Sequence, residues 1–415
     1  MKSFIVAIPL FNSQMAVEAY WLCSRRGQKI LGMLEDHRNM EDTLSYPGLE
    51  LVESIGVEPF TGGCPLIVEV NEYQLLMGAP ENHDIPPDKL ICMLSADINI
   101  SEVLLTRCRK IKENGYAIAV DGLIDVREKA ALFDLVDCVN IDLDVYGIDR
   151  AMMMAKIIKK VNKRMIISQV PDTDTYNKLS DLPATLFTGG FYSKPVTKGI
   201  KDISPIKINT LALMNQINEE DFDLTDIAAI IGRDPSLSIS LLRFINSSSA
   251  KFTSKINSIR SAVAILGQKE VKRWATAALS LQLAQDRPGE ISKLSLIRAR
   301  FAENLAAVFE MGLFAPSLFV TGLFSLLDVI LQKPMPEAVK EVALDEKVRQ
   351  ALVEKSGDYY QVLDLLYAYE RADWDTVSVM ILKHDLKVED IVEAFIEALV
   401  WYKRLLEAID EEPSE

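Results

Sequence analysis

The side chains in this 415-residue chain that could do chemistry at neutral pH are few, and their placement matters more than their number. Three histidines (His37, His83, His384) and five cysteines (Cys23, Cys64, Cys92, Cys108, Cys138) are present. All the cysteines and two of the histidines fall in the first 140 residues, so the second half holds no Ser-His-Asp or Cys-His set. There is no P-loop and no GxGxxG. An odd cysteine count without CxxC spacing reads as reduced thiols in a cytoplasmic protein, acting as small core residues. Two carboxylates stand out by position. Asp121 ends the run YAIAVD and Asp142 ends DCVNID, where a strand delivers a side chain to the C-terminal rim of a parallel sheet or barrel. In a barrel, that rim is where catalytic residues gather. The reading taken for both is a structural carboxylate at a strand end. The dipeptide His384-Asp385 has no second histidine within reach and reads as a helix-end pair.

The elements that position these residues follow from periodicity. In the first 200 residues, apolar runs of strand length (65–70, 89–94, 116–121, 137–142, 164–169) alternate with helical patterns near 72–78, 101–114, 126–135, 149–161 and 173–180. That alternation predicts βαβ units in a parallel sheet or barrel. MKSFIVAIPLF is too short, and too soon broken by Pro9 and polar residues, for a signal peptide, and reads as the first strand. Residues 198–205 read as a short linker. Beyond it the pattern is helical: Asp234-Pro235 predicts a helix start, Leu237, Leu241 and Ile245 one apolar face, Ser258 a cap and Gly267 a stop. A helix over SLIRARFAENLAAVFEMG, a run broken at Pro334 and Pro336, and at least two further helices follow, and 406–415 reads as an acidic tail. No window is expected to reach the ~18 apolar residues of a membrane span.

Charge narrows the function classes. The formal net charge is −15, and residues 201–415 alone carry −9, which disfavours a polyanionic partner. Ala228, Gly232 and Ser238 do match helix–turn–helix spacing, and transcriptional control through that segment is a rival reading. Its second helix begins with an acid and offers only Arg243 to a phosphate or base, so no nucleic-acid partner is expected. Arg298 and Arg300 form a modest basic face of the kind that is solvated or salt-bridged. Trp374, Tyr359, Tyr360 and Trp401 would anchor protein partners if exposed, with buried core as the alternative.

Several motifs of the first 195 residues resemble the EAL domain, the TIM-like barrel phosphodiesterase of cyclic di-GMP. GYAIAVDGLID resembles G-Y-x-x-A-L-D-D-F, VNID resembles V-K-I-D, and TGGFYSKP resembles Q-G-Y-x-F-S-K-P. The resemblance implies a metal-dependent site, and the motifs depart from it at most ligand positions. Trp21 stands for the Glu of Y-E-L-L-Y-R, Cys92 for the Glu of L-E-I-L-E, Gly122 for the second Asp of D-D-F and Asn140 for the Lys of V-K-I-D. Ser168 and Pro171 replace the carboxylates of A-E-K-V-E, and Thr188 the Gln of Q-G-Y. The family's asparagine on the third strand falls at Glu69 or at Asn71, depending on register. Only Asp121 and Asp142 remain.

In the second half, DPSLSISLLRFINSS and INSIRSAVAILG resemble the HDOD domain, a non-catalytic all-helical relative of the HD-type phosphohydrolases. Where HD enzymes carry G-L-L-H-D-I-G, this chain reads GLFSLLD, with Ser325 and Leu326 at the metal-binding pair. The expectation is therefore an EAL-type α/β barrel over 1–200 and an all-α HDOD domain over 201–405. Its function would be non-enzymatic: signalling or scaffolding through contacts with other signalling proteins, as a homodimer by resemblance, with no metal or cofactor. Binding of cyclic di-GMP, or its weak hydrolysis, is the alternative.

Overall fold

The computed structural model describes residues 3–26, 47–95, 98–122, 130–183, 185–194, 205–218, 224–233, 235–247, 256, 258–285 and 287–410. The chain forms two compact units: Met1–Lys194 together with Ala368–Ser378, and Pro195–Tyr367 together with Val379–Glu415. The linker expected at 198–205 lies almost wholly outside the described residues, as does Asp234.

In the first unit eight strands close into a barrel in sequence order. They are β1 (Ser3–Phe11), β2 (Val17–Arg26), β3 (Leu66–Glu69), β4 (Leu90–Ser95), β5 (Ala117–Asp121), β6 (Cys138–Asp142), β7 (Arg164–Ser168) and β8 (Thr185–Phe187). β1 runs antiparallel to both its neighbours, and every other ladder is parallel. Parallel strands need crossovers, and a helix follows each of β3 to β7 (Glu72–Leu76, Glu102–Glu113, Ala130–Leu135, Leu143–Lys160 and Thr173–Leu179). Several of these helices begin on side chains that the sequence places for capping. Ser101 accepts from the Leu104 N–H, Asp172 from the Thr175 N–H, and Asn71 forms a capping box with Gln74.

Side chains alternate in and out along each strand, and the barrel is packed rather than hollow. Leu10, Ala19, Trp21, Ile67, Met93, Ala119, Cys138, Ile166 and Leu186 fill one interior layer. Ala368–Ser378 belongs with this unit, which a single cut at residue 200 misses. Tyr369 and Trp374 pack on Phe4 with ring centroids 5.7 and 5.5 Å away, the Tyr369 hydroxyl accepts from the Ile5 N–H at 3.3 Å, and Arg25 pairs with Asp375 at 2.9 Å.

The second unit is helical among the described residues. Leu237, Leu241 and Ile245 are buried along Pro235–Ser247, as their spacing predicts. Ser258 caps the next helix by accepting from the Ser261 N–H. The continuous assignment over Ile259–Leu283 hides a break at Gly267, whose φ of 77° is open to glycine and costly for other residues. The helix Gly289–Val308 packs against Ala315–Leu323 so closely that a Cβ on Gly322 would lie 2.3 Å from the Arg298 carbonyl oxygen. Glu303, buried, pairs with both Arg273 and Arg300.

Three sequence expectations change here. Gly312–Leu331 reaches a mean hydropathy of 1.9 over a membrane-spanning length, contrary to the expectation that no window would. Its residues are broken into short α and 3-10 pieces, and Leu318, Leu323, Phe324, Leu327 and Ile330 are core. The last helix, Val388–Asp410, runs through residues 406–410, so these are helix rather than tail; 411–415 lie outside the described residues. Arg298 is not surface: it is buried, donates to Ser325 at 3.1 Å and stacks over the Tyr367 ring at 4.8 Å. Among the aromatic candidates, Tyr359 is buried, while Tyr360, Trp374 and Trp401 are half-buried. Trp374 packs on Phe4 and Trp401 packs edge-on against Phe319.

Candidate functional site

One step above the apolar layer, toward the C-terminal mouth, the same inward positions carry polar groups. Two residues beyond Ile67, Met93, Ala119, Cys138, Ile166 and Leu186 stand Glu69, Ser95, Asp121, Asn140, Ser168 and Thr188. Four of these, Asp121, Asn140, Ser168 and Thr188, are positions named from the sequence, and the strand register sets them side by side: Ser95 pairs with Asp121, and Asp121 with Asn140.

Asn140 is the centre of this ring. It is 1% exposed, and its Nδ2 donates to Asp121 Oδ1 at 2.7 Å and to Ser168 Oγ at 3.1 Å, lacing β5, β6 and β7 together. Among the described residues its Oδ1 has no hydrogen-bond partner, nor does the buried Thr188 hydroxyl. A lysine here would bring a positive charge to Asp121, whereas the carboxamide brings a neutral donor. Gly122, buried at a φ of 101°, turns the chain out of the barrel and donates its N–H to the Asn140 carbonyl.

Asp142 is not part of the ring's chemistry. Its carboxylate caps the following helix, accepting from the Asp144 N–H at 2.8 Å and the Val145 N–H at 3.3 Å. Pro171 is exposed beyond the end of β7. In the same region Gly189 adopts a φ of 141°, and a Cβ there would meet the Val170 backbone at 2.4 Å.

Cys92 requires a correction. Ile91 packs against the interior and Met93 is within it, so the alternation turns Cys92 outward, toward Cys108, Arg107 and Glu81. Burial, then the negative groups Glu81 and Cys108, push its thiol up to about 12. Met93 and Ser95 are the side chains that β4 presents to the interior and the mouth. LICMLS is apolar on both faces, as strands buried on both sides are, and so carries no alternation to set its phase.

Glu69 is the functional residue left ambiguous by the sequence. Asn71 is committed to capping Glu72–Leu76, which leaves Glu69 as the β3 side chain at the mouth. Burial first, and then the negative charge of Asp121, raise the Glu69 pKa. The Trp21 indole N–H draws it back down, although the pair falls short of a full hydrogen bond. Trp21 itself, 9% exposed, occupies the interior layer. Glu69 and Asp121 line a cavity of about 490 Å³ with Glu72, Met93, Leu94 and Ile98.

A pair of divalent cations does not fit this ring. Each such ion takes about six oxygen ligands, mostly carboxylate and carbonyl. Among the described residues the charged donors here are Glu69, Asp121 and, on the helix that follows β3, Glu72, with one Asp121 oxygen already bound to Asn140. Among the described residues no three His, Cys, Asp or Glu side chains converge to hold a metal. The second unit's candidate pair does not fit one either. Ser325 donates to the Gly322 carbonyl at 2.7 Å and accepts from Arg298, Leu326 is buried hydrocarbon, and burial raises the pKa of nearby Asp328 against the pull of Arg298 and Lys355.

Comparison with known proteins agrees with this two-part architecture. A family model described as the HDOD domain matches residues 205–357. The Bacillus subtilis protein YuxH, itself described as uncharacterized, is 30% identical over 418 residues, covering 98% of this chain and 100% of that protein. The cyclic di-GMP phosphodiesterase CdgJ of Vibrio cholerae is 24% identical over 401 residues, 96% of this chain and 92% of its own. Among solved structures, a standalone EAL protein of Vibrio cholerae bound to cyclic di-GMP superposes with a TM-score of 0.36 at 14% identity, covering 49% of this chain and 96% of that one. A manganese and cyclic di-GMP complex of Klebsiella pneumoniae BlrP1 gives 0.37 at 10% identity, over 46% and 55%. Eight strands closed into a barrel, an HDOD match in the helical half and identity along the full length place the chain: it belongs to the family that includes YuxH, a closed eight-stranded barrel followed by a helical half that matches the HDOD domain.

Proposed function

We propose that this protein is a non-catalytic regulator of the cyclic di-GMP signalling class, acting as a homodimer through contacts with other signalling proteins. The observation that carries the reading is the composition of the barrel mouth. Among the described residues there, three carboxylates, Glu69, Glu72 and Asp121, the last held by a carboxamide, line the cavity where hydrolysis of a phosphodiester calls for a full set of metal ligands. Without a metal pair, an attacking water keeps a pKa near that of bulk water, and the leaving oxygen has nothing to stabilise its charge.

CdgJ is named a phosphodiesterase, and its 24% identity gives weak hydrolysis its place as the second reading. One assay separates them. Purified full-length protein is incubated with cyclic di-GMP and Mg²⁺ or Mn²⁺, and the linear dinucleotide is quantified against a mock preparation. No turnover above background, and no stoichiometric Mn²⁺ uptake by calorimetry, is the expected result. Sustained metal-dependent conversion sinks the proposal.

A further inference from the structure

We propose that the outer face of the helix Leu143–Lys160 docks this protein on an anionic lipid surface, its lysines meeting the headgroups and a ridge of aliphatic side chains entering the layer beneath them. The inference does not depend on what the barrel mouth does.

Charge is the first argument. The chain carries −15, yet residues 150–164 hold six Lys and Arg and no Asp or Glu. Three of the six have contacts within the protein: Arg150 stands over the Tyr146 ring at 5.4 Å, Lys163 donates to the Val136 carbonyl, and Arg164 pairs with Glu18. Lys156, Lys159 and Lys160 are exposed, and no carboxylate among the described residues pairs with them. Salt screens charge over about 8 Å at physiological strength, so this face acts on what touches it, and the negative remainder of the surface turns the protein to approach with this face leading.

Exposed hydrocarbon on the same face is the second argument. The helix is regular beyond Gly147, where a φ of 72° interrupts it. Ala151, Ala155 and Ile158 form its buried side. On the opposite side Met153, Ile157 and Val161 follow one another at four-residue steps, 54%, 48% and 43% exposed. Asp149 is the acid that shares this side, and Lys156 and Lys160 stand beside the ridge. A ridge of that kind, set among unpaired lysines, has a cost in water that burial in the headgroup boundary removes.

The residue types select the partner. Interfaces between proteins are poor in Lys and rich in Arg and aromatic side chains, and nucleic acids are gripped by Arg forks and stacked aromatics. Here the unpaired cations are all Lys and the ridge is wholly aliphatic. Long lysine stems lie along apolar surface while their heads stay in water, which is how they act at a bilayer boundary. A second copy seated on this face about a two-fold axis would set these lysines against their own equivalents.

The test pellets the full-length protein with sucrose-loaded vesicles of phosphatidylcholine, alone or mixed in equal parts with phosphatidylserine, at physiological ionic strength. Partition into the mixed vesicles is expected to exceed that into phosphatidylcholine at least about tenfold, since each Lys or Arg near such a surface is worth about fivefold. Lys156→Gln/Lys160→Gln should weaken partition at least about tenfold, whereas Arg109→Gln/Lys110→Gln, an equal loss of charge on the helix Glu102–Glu113, should leave it within about twofold. Met153→Ser/Ile157→Ser should weaken it at least about fivefold and keep the preference for phosphatidylserine. All six of these side chains are exposed, so their replacement leaves the packing intact. Added salt should weaken binding. Equal partition into both vesicles, no partition into either, or equal losses from the two double lysine and arginine variants overturns the inference. Binding of soluble polyglutamate without vesicle binding assigns the face to an acidic protein, and a change of solution mass on Met153→Ser/Ile157→Ser, read by light scattering, assigns it to a second copy; either result overturns lipid docking.

Discussion

The carboxamide of Asn140 donates to the carboxylate of Asp121 across 2.7 Å, joining β6 to β5 at the mouth of the barrel. Asn140→Asp turns this donor into a second carboxylate at the same distance, at a position 1% exposed. Two such groups do not both ionise cheaply, and one must hold a proton or be pushed aside. The expected loss is about 2–4 kcal/mol of unfolding free energy at neutral pH, recovering as the solution is acidified. Urea titrations at several pH values check both the size and the direction. Asn140→Ala, which removes the donor without adding charge, should cost less and show no such recovery.

Glu69 gives a pH signature of the opposite kind to a salt-bridged acid. Its pKa is raised above the ordinary value of 4.5 by burial and by Asp121, so the folded state holds a proton that the unfolded state has already released. Stability therefore falls as pH rises from that ordinary value through the raised one. Glu69→Gln should remove this slope and leave the protein more stable at neutral pH. Glu18 runs the other way: hydrogen bonding by Asn12 outweighs burial and, with Arg164, depresses its pKa, so its contribution is lost on acidification. Parallel pH–stability curves for the wild type and Glu69→Gln would contradict the assignment.

In the second unit Gly322 marks a close approach between two helices. Gly322→Ala places a methyl 2.3 Å from the Arg298 carbonyl oxygen and 2.7 Å from its carbon. Neither atom is the tip of a flexible side chain, so the helices must part. A loss of roughly 3 kcal/mol, or failure to accumulate folded protein, is expected. Differential scanning calorimetry reads the shift, and a variant as stable as the wild type would contradict the packing.

Tyr369→Phe isolates one hydrogen bond. The ring keeps its edge contact with Phe4, while the Ile5 N–H loses the hydroxyl that accepts it at 3.3 Å. A loss of about 1–2 kcal/mol is expected from a buried amide deprived of that acceptor. Amide hydrogen exchange should show Ile5 opening faster while the centre of β6 stays protected.

Six of the eight strands, β1 and β3 to β7, and the helical patterns between them were legible because strand-length runs alternate with helical periods; β2 and β8 were not. Much of the mouth was legible too, since Asp121, Asn140, Ser168 and Thr188 fall at equivalent places in successive strands. What failed were decisions of phase and of depth. Cys92 and Met93 differ by one residue in a strand apolar on both faces, and composition does not say which one looks inward. Glu69 and Asn71 separate only when the cap on Glu72–Leu76 is seen. Arg298 reads as surface by residue type, and only packing against Tyr367 and Ser325 reveals it as interior. Gly312–Leu331 escaped because Asp328 and scattered small residues break its apolar stretches into shorter pieces.

The contact between Ile5 and Tyr369 joins residues 364 positions apart. A nascent chain stopped after β8 has every strand but still lacks the Tyr369 and Trp374 rings that pack on Phe4, so this part of the barrel's packing is timed by the ribosome's passage through the helical half.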